Sequence, residues 1–503
     1  MISAQAARRG SKGKKNSADL AAPRESVVRQ FLVRRIARKE LVEMLRDRRL
    51  RWAAVIIFSL LLVSLALGWQ HYREVSRQHE EAQRITREQW LNQGEKNPHS
   101  AAHYGVYAFK PKMPLSLLDK GIDGYTGVAV WLEAHKQNDF KYRPAQDATA
   151  VQRFGELTGA SVLQFFLPLL IVLLTFTTFA GEREQGTMRQ ILSLGVSPKT
   201  LAAGKALGAA CAVGVLLVPA AVLGVIAIGL ASGDPMQMTF PRLLVMSIGY
   251  LLYFGAFIGI SLAVSAAASS SRQALVVLLA FWIWNSLVSP RAATDIARHL
   301  YPTPSAFEFA TRVESEIRNG IDGHNPQDRR LETLKSELLL KYGVSRLEDL
   351  PINFTGVAMQ ASEEYGGEVF DRNYGLLWDQ YERQNRFQVR AAVVAPILAI
   401  RSLSMGLAGT DFSQHRSFAS AAEEYRRAMI RKMNRDVTHN AQYGQTFYIA
   451  DRSLWERLEP FEYTAPEFQD VLRNQVWTLA ALLAWFAAGI AAAAASAARL
   501  RAD

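Results

Sequence analysis

The chain has 503 residues, of which 49% are hydrophobic and 21% are Asp, Glu, Lys or Arg. These charged residues are absent from six stretches of 18 to 29 residues. A helix of ~20 residues crosses a hydrocarbon layer of about 30 Å, so each stretch is long enough or nearly so. Six such stretches exclude a soluble globular enzyme and a disordered or fibrous chain. The predicted spans are residues 52–72, 157–181, 206–233, 243–271, 273–290 and 474–498.

The segment before the first span is strongly basic. Residues 1–51 contain 15 Lys and Arg against 5 Asp and Glu. Residues 1–24 have the composition of a flexible basic tail. Residues 25–51 have the apolar spacing of an amphipathic helix in the membrane interface, with an ordinary solvated helix as the alternative. Because 51 residues precede this span, we interpret it as an uncleaved anchor and not as a secretory signal.

The net charge of +12 is distributed unevenly between the connections. Lys and Arg exceed Asp and Glu in residues 1–51 and 182–205, whereas the long loops 73–156 and 291–473 are nearly balanced. An excess of Lys and Arg marks the cytoplasmic side of a membrane. We therefore expect both termini in the cytoplasm and both long loops outside. We attribute the basic charge to the orientation of the chain in its partner, the lipid bilayer, and we expect no nucleic-acid partner.

The two long loops are expected to form a mostly helical extracytosolic domain. The first opens with a polar helical stretch over residues 73–91. The second has four stretches of helical spacing separated by prolines, at residues 305–318, 328–342, 360–390 and 413–440. The loops contain no cysteine, so this domain is predicted to fold without disulfides. The single cysteine, Cys211, lies in the third span as a packing residue.

One further segment could be mistaken for a span. Residues 391–400 are uncharged and are followed by Arg401. As a span, this segment would place Arg401 near the middle of the bilayer, which is costly, and would move the C-terminus to the other side. We interpret it as a buried or interfacial segment of the extracytosolic domain. The predicted fold is thus an all-α polytopic membrane protein with six transmembrane helices.

The sequence contains no motif of a catalytic site. Gly195, Gly204 and Lys205 lack the spacing of a phosphate-binding loop. Neither HExxH nor GxSxG occurs, and the spans lack the charged side chains of an ion-coupled carrier. The nine histidines are scattered, and Asp411 with His415 is better explained as a helix start than as a metal pair. We therefore expect no catalytic residue, cofactor or metal ligand, and any energy must come from another chain.

The connection between the second and third spans carries the strongest pattern. From Glu182 it runs E-R-E-Q-G-T-M-R-Q-I-L-S-L-G-V-S-P-K. This predicts a short cytoplasmic helix that stops at Gly195, and a second helix that Ser197-Pro198 opens. Glu182 and Glu184 complement the positive N-terminus of the first helix. A generic connecting loop is the alternative interpretation.

The pattern E-R-E-x-G-T-x-x-x-[IL]-L-S, followed by S-P-K and G-K, resembles the permease subunits of type 2 ABC exporters. The clusters Arg38-Lys39-Glu40 and Arg46-Asp47-Arg48 resemble the same family. The resemblance implies two permease subunits, identical or homologous, and two separate ATP-binding cassette subunits that hold ATP and Mg²⁺. Residues 25–51 and the hairpin at 182–205 would then dock on the ATPase. The residues expected at this contact are Arg38, Glu40, Arg46, Glu182, Arg183, Glu184, Gly186, Thr187 and Lys205.

A second set of residues resembles a subgroup of that family that has a large extracytosolic insert of unassigned function. This set comprises Ser404, Gly409, Thr410, Asp411, Glu423, Tyr425 and Arg426. Physically, Gly409-Thr410-Asp411 predicts a turn and an N-cap before a long helix. Glu423 and Arg427, four residues apart, predict an ion pair on one helix face. A structural role for this set is favoured over a catalytic one.

Together these features predict a permease subunit of an ABC transporter that exports or extrudes a substrate with ATP hydrolysed elsewhere. The alternative is a mechanotransmission complex. In it, the same motion acts on an extracytosolic partner, and nothing crosses the bilayer. The second loop is larger than a simple exporter requires, and its size favours this alternative.

Overall fold

A computed structural model describes residues 27–143, 157–231, 236–319, 329–445 and 448–500. The predicted basic tail at 1–24 and the end of the first loop at 144–156 lie outside the described residues.

Six helices in the described part of the chain are long and apolar enough to cross a membrane. They are α2 (Arg48–Leu91), α5 (Gly159–Glu184), α7 (Pro198–Ala231), α8 (Met236–Ala267), α9 (Ser271–Leu300) and α17 (Val476–Ala498). Each contains most or all of one predicted span, which confirms the predicted fold class. The bounds differ because a helix continues past its apolar run for as long as its backbone hydrogen bonds are made.

The first span shows the largest difference from its predicted bounds. The preceding helix α1 (27–46) stops one residue before Asp47, whose side chain caps α2 by accepting from the backbone N–H groups of Arg49 and Leu50. The helix α2 then runs for 44 residues, through the predicted span and the polar stretch at 73–91. One continuous helix therefore leaves the bundle and enters the loops.

Residues 73–143 and the described residues between 291 and 473 form one unit, which we call the loop domain. Its helices are α3 (Pro98–Tyr104), α4 (Asp123–Thr126), α10 (Ala306–Arg318), α11 (Arg329–Tyr342), α12 (Phe354–Arg390), α13 (Pro396–Ala408), α14 (Phe412–Asn440), α15 (Arg452–Glu456) and α16 (Phe468–Asn474). The four helical stretches predicted in the second loop correspond to α10, α11, α12 and α14. The loops pack on each other at Trp90 and Trp455, both buried, where the Trp90 indole donates to the Trp455 carbonyl at 3.0 Å.

A small antiparallel sheet completes the loop domain. Its strands are β1 (Val106–Phe109), β2 (Ala129–Glu133) and β3 (Lys136–Gln137), in the order β1-β2-β3. Val106 pairs with Leu132, and Glu133 with Lys136 across a tight turn. This turn places His135 next to α12 and α14, a position used below.

The helix α13 is the apolar segment that could be mistaken for a span. Ile397, Ile400 and Leu403 are fully buried in the same hydrophobic core as the spans. Arg401, the residue after Ile400, is exposed. The helix is thus a buried segment of the loop domain inserted against the bundle, and α13 packs mainly on α8 and α17.

The bundle is held by close contacts between small residues. A Cβ on Gly259 would lie 2.5 Å from the backbone carbon of Gly489, and a Cβ on Gly255 would lie 2.5 Å from the Phe486 ring. Lipid offers no hydrophobic driving force between helices, so such close backbone approach is a main source of helix association. The pair α8 and α17 is therefore the best-packed pair of spans.

Candidate functional site: the coupling end and the joint to the loop domain

A buried cluster of charges lies where α1, α5 and α7 meet, at the end of the bundle opposite the loop domain. The Lys205 side chain is 1% exposed, and its Nζ lies 2.7 Å from Glu40 Oε1 and 2.8 Å from Glu182 Oε1. Lys39 Nζ lies 3.3 Å from the same Glu182 oxygen. Two carboxylates therefore share two ammonium groups, which balances the charge that burial would otherwise penalise. The cluster joins the two predicted docking segments, residues 25–51 and the hairpin at 182–205.

Two glycines let α1 approach α7 closely enough to form this cluster. A Cβ on Gly204 would lie 2.6 Å from Ile36 Cβ, and a Cβ on Gly208 would lie 2.7 Å from Glu40 Cβ. The residues stand four apart, so both face α1. The G-K pair of the sequence pattern thus supplies one glycine for contact and one lysine for the charge cluster.

Arg183 and Glu184 hold the hairpin against the turn between α8 and α9. The Arg183 guanidinium donates to the carbonyls of Ala266, at 2.8 Å, and Ala268. Glu184 accepts from the backbone N–H of Ser271 at 2.8 Å and from its hydroxyl at 2.7 Å. These hydrogen bonds lower the pKa of Glu184 below its ordinary value. Five of the seven charged residues expected at the ATPase are therefore engaged within the chain: Glu40, Glu182, Arg183, Glu184 and Lys205.

Gly186 and Thr187 start the short helix α6 (Thr187–Ser193). Gly186 caps it with φ +74°, a conformation that favours glycine, and the Thr187 hydroxyl donates to the Glu182 carbonyl at 3.2 Å. At the far end, Leu194 is 82% exposed, and Arg189 is also exposed. Among the residues that the structure describes, none covers this large apolar side chain at the tip of the hairpin.

The remaining predicted contact residues lie on α1. Arg38 and Arg46 are exposed, whereas Glu40 is buried in the charge cluster. The pKa of Lys39 is raised above its ordinary value: burial lowers it, but the carboxylates of Glu40 and Glu182 outweigh that effect. The residues assigned to docking thus divide into a buried set that fixes the shape of this end and an exposed set available to another chain.

The second predicted set divides between two places in the loop domain. Ser404 on α13 donates to Asp119 Oδ2, and Thr410 donates to the Asp119 carbonyl at 3.1 Å. Gly409 ends α13 with φ +73°, and Asp411 caps α14 by accepting from the Gln414 N–H at 3.0 Å. The predicted turn and N-cap are confirmed. Burial raises the pKa of Asp119, although Ser404 donates to its carboxylate.

The rest of this set surrounds a buried arginine on α14. Arg426 is 1% exposed and makes two bonds to Glu423, at 2.7 and 2.8 Å. Glu423 also pairs with Arg427 at 2.7 Å, as the spacing predicts. Tyr425 donates to the Glu459 carbonyl at 2.6 Å. These contacts are structural ones, between α14 and its neighbours.

A polar network that the sequence did not indicate links the spans to α13. Gln164 donates to the Tyr250 hydroxyl at 3.0 Å, and Tyr250 lies 3.2 Å from the Ser404 hydroxyl. Asn285 donates to Tyr253 at 3.2 Å and accepts from the Ile397 N–H at 3.1 Å. All these side chains are uncharged, so a search of the spans for charge does not find them.

Two π-helical turns carry this network. They are Val162–Phe166 in α5 and Trp284–Val288 in α9, and they contain Gln164 and Asn285 respectively. Such turns are rare and are often found at functional sites. The signal that could have found them is an isolated amide in each of two otherwise apolar runs.

Two family models match the chain. The model described as "ABC-2 family transporter protein" matches residues 34–337. The chain belongs to this family. This ABC-2 family member is a multi-pass membrane subunit of an ABC transporter and not the catalytic subunit, and membership implies an ATP-binding cassette partner. The model described as "Domain of unknown function (DUF3526)" matches residues 306–464, most of the second loop. The search of curated proteins found no match.

Proposed function

We propose that this ABC-2 subunit is a permease of the bacterial inner membrane that receives motion from two copies of a cytoplasmic ATPase. It would act as a dimer with a second permease subunit, with the coupling end in the cytoplasm and the loop domain outside. The main support is the Glu40–Lys205–Glu182 cluster, because its buried ion pairs join α1, the hairpin and the third span. Force applied to the hairpin tip would therefore move a span.

The exposed tip of the hairpin is the proposed docking surface. Leu194 would enter an apolar groove of the ATPase, and Arg189 would pair with an acidic residue at its rim. Glu182, Arg183 and Glu184 would support that surface from behind, through their contacts with α7, α8 and α9.

Replacement of Leu194 by Asp tests this proposal. We expect the L194D variant to lose most of the co-purified ATPase while the melting temperature of the permease stays unchanged, because the side chain is exposed. Leu340→Asp is the matched control, since Leu340 is 84% exposed but lies in the loop domain. Undiminished co-purification of ATPase with L194D would refute the docking surface.

We propose that this motion extrudes an apolar or amphipathic substrate. A cavity of about 540 Å³ lies between α2, α7 and α8, and its lining is almost entirely aliphatic and aromatic. Leu61, Gly214, Tyr250 and Phe254 are among the lining residues. Such a cavity has the chemistry for a lipid-like molecule taken from the bilayer.

A second candidate function is mechanotransmission without a transported substrate. The specific support is α2, because its outer half packs into the loop domain. Gln83 donates to the Phe461 carbonyl at 3.3 Å and Arg87 to the Leu458 carbonyl at 2.6 Å. A rigid helix of this length would carry movement of the first span directly to the loop domain.

Two variants in the complex with its ATPase separate these functions. Gly214→Phe narrows the cavity, and a Gly-Gly insertion after Glu80 breaks α2 beyond the membrane; the same insertion after Val344, in a turn, is its control. The probe is a fluorescent phospholipid in phosphatidylethanolamine–phosphatidylglycerol vesicles. ATP-dependent lipid movement that G214F abolishes supports extrusion. Transmission is supported if no lipid moves and if ATP hydrolysis depends on an intact α2, that is, if the insertion after Glu80 lowers it and the insertion after Val344 does not.

A further inference from the structure

Three histidines of the loop domain converge on one point. His99 and His103 lie one turn apart on α3, and His135 lies in the tight turn between β2 and β3. One ring nitrogen from each lies within 4.8 Å of those of the other two. The three rings are 4.8 to 5.1 Å apart at their centroids. None of these residues takes part in the coupling described above.

The hydrogen bonds around two of these rings determine their tautomers. His99 Nδ1 lies 3.0 Å from Asn434 Oδ1, and the amide nitrogen of Asn434 donates to Gln360, which orients the amide. His135 Nδ1 lies 2.6 Å from Glu363 Oε1. Because both partners accept, each neutral ring carries its proton on Nδ1 and a lone pair on Nε2.

The two Nε2 atoms then face each other at 3.3 Å. Two lone pairs at this distance repel unless a proton or a metal ion lies between them. On a tetrahedral zinc ion with Zn–N bonds of about 2.0–2.1 Å, neighbouring nitrogen ligands are about 3.3–3.4 Å apart. The spacing of His99 and His135 is therefore that of two ligands of one metal ion.

The surroundings of the rings resemble the outer shell of a metal site. Ligand histidines in proteins generally donate their second N–H to a carboxylate or amide oxygen, as His135 does to Glu363 and His99 to Asn434. The carboxylate of Glu363 is itself held by Arg426, whose Nη1 lies 3.5 Å away.

The backbone at His135 is strained in a way that fits this role. Its φ is +66°, in the left-handed region that non-glycine residues seldom occupy. Its N–H donates to Glu363 Oε1 at 2.8 Å, which holds the turn in place. Strain of this kind persists where the surroundings impose it, often at functional sites.

We propose that His99, His103 and His135 bind a divalent transition-metal ion of the zinc class through three imidazole nitrogens. The exposed position of His103 leaves the fourth coordination position open to water or a small ligand. The site lies where the first loop meets α12 and α14, so the ion joins the two loops through Glu363 and Asn434. This proposal is independent of ATPase coupling and of membrane orientation.

Zinc titration of the full chain, purified in detergent and stripped with a chelator, tests the proposal. We expect one Zn²⁺ per chain by calorimetry, and intense visible absorption of tetrahedral Co²⁺ when cobalt replaces zinc. His103→Ala should weaken Zn²⁺ binding more than tenfold without loss of the fold, since this side chain is exposed. Glu363→Gln should weaken it about 10- to 100-fold.

His439→Ala is the matched control, because His439 is an exposed histidine of the same domain outside the cluster. It should leave the zinc affinity unchanged. A cluster held by a shared proton would bind no zinc at this stoichiometry, and that result overturns the proposal. Zinc binding that H103A and H439A alter equally would overturn it as well.

Discussion

At the scale of single residues, the coupling end depends on one lysine and two carboxylates that three helices bury together. Lys205 and Glu182 were expected on a surface that faces another chain, and both are buried in an ion cluster. Their partner Glu40 is 165 positions from Lys205. Pairing at such separation depends on how the helices pack, which one sequence does not state. The exposed Leu194, in contrast, lies at the tip of the hairpin that the pattern predicted.

Replacement of Lys205 by Met should destabilise the coupling end. Removal of one partner from a buried ion pair leaves uncompensated carboxylates and costs roughly 3–5 kcal/mol. We expect a lower melting temperature in detergent and weaker ATPase binding. Lys199→Met is the control, because Lys199 is exposed on the same helix. If K205M and K199M melt at the same temperature, the cluster does not stabilise this end.

At the scale of elements, the sequence predicts where the helices lie but not how one helix continues into the next or packs against it. Charge-free runs predicted six spans, because no other composition suits lipid. The continuity of α2 was not predicted, since a span and a polar helix were identified separately and nothing marked the absence of a turn between them. The π-helical turns at Gln164 and Asn285 were also not predicted, because they accompany a hydrogen-bond network between elements.

Gly208→Leu tests whether close approach of α1 and α7 is needed for coupling. The new side chain would meet Glu40 and Ala37, and overpacking of this kind costs about 1–3 kcal/mol. We expect lower ATPase co-purification and faster proteolysis of α1. Gly214→Leu on the same helix is the control, because nothing lies within 4 Å of a Cβ there. Equal behaviour of the two variants would mean that the α1 contact is dispensable.

At the scale of the whole molecule, the contacts separate two ends of the bundle. The hairpin meets α1 at one end, and the two long loops meet each other at the other. Which end faces the cytoplasm follows from the excess of Lys and Arg before the first span, an argument from charge. The chain has one cysteine, Cys211, so the orientation can be tested with introduced thiols after that residue is replaced by Ala.

In the C211A background, Leu340→Cys should react with a membrane-impermeant maleimide on intact spheroplasts. Leu194→Cys should react only after the membrane is permeabilised. Both side chains are highly exposed in the permease, so in cells that lack the ATPase a difference in labelling reports the side of the membrane and not burial. The reverse pattern would place the loop domain in the cytoplasm and contradict the proposed coupling.

The sequence by itself determined the six spans, four helices of the second loop and the hairpin, because each depends on local composition and short spacing. Only the tertiary structure decided that Lys205 is buried, that α13 inserts against the bundle, and that His135 meets His99 and His103. The last case shows the reason. His99 and His135 are 36 residues apart in the sequence. The groups that orient them, Glu363 and Asn434, come from the second loop. Long-range packing brings such groups together, and the spacing of residues along the chain does not indicate it.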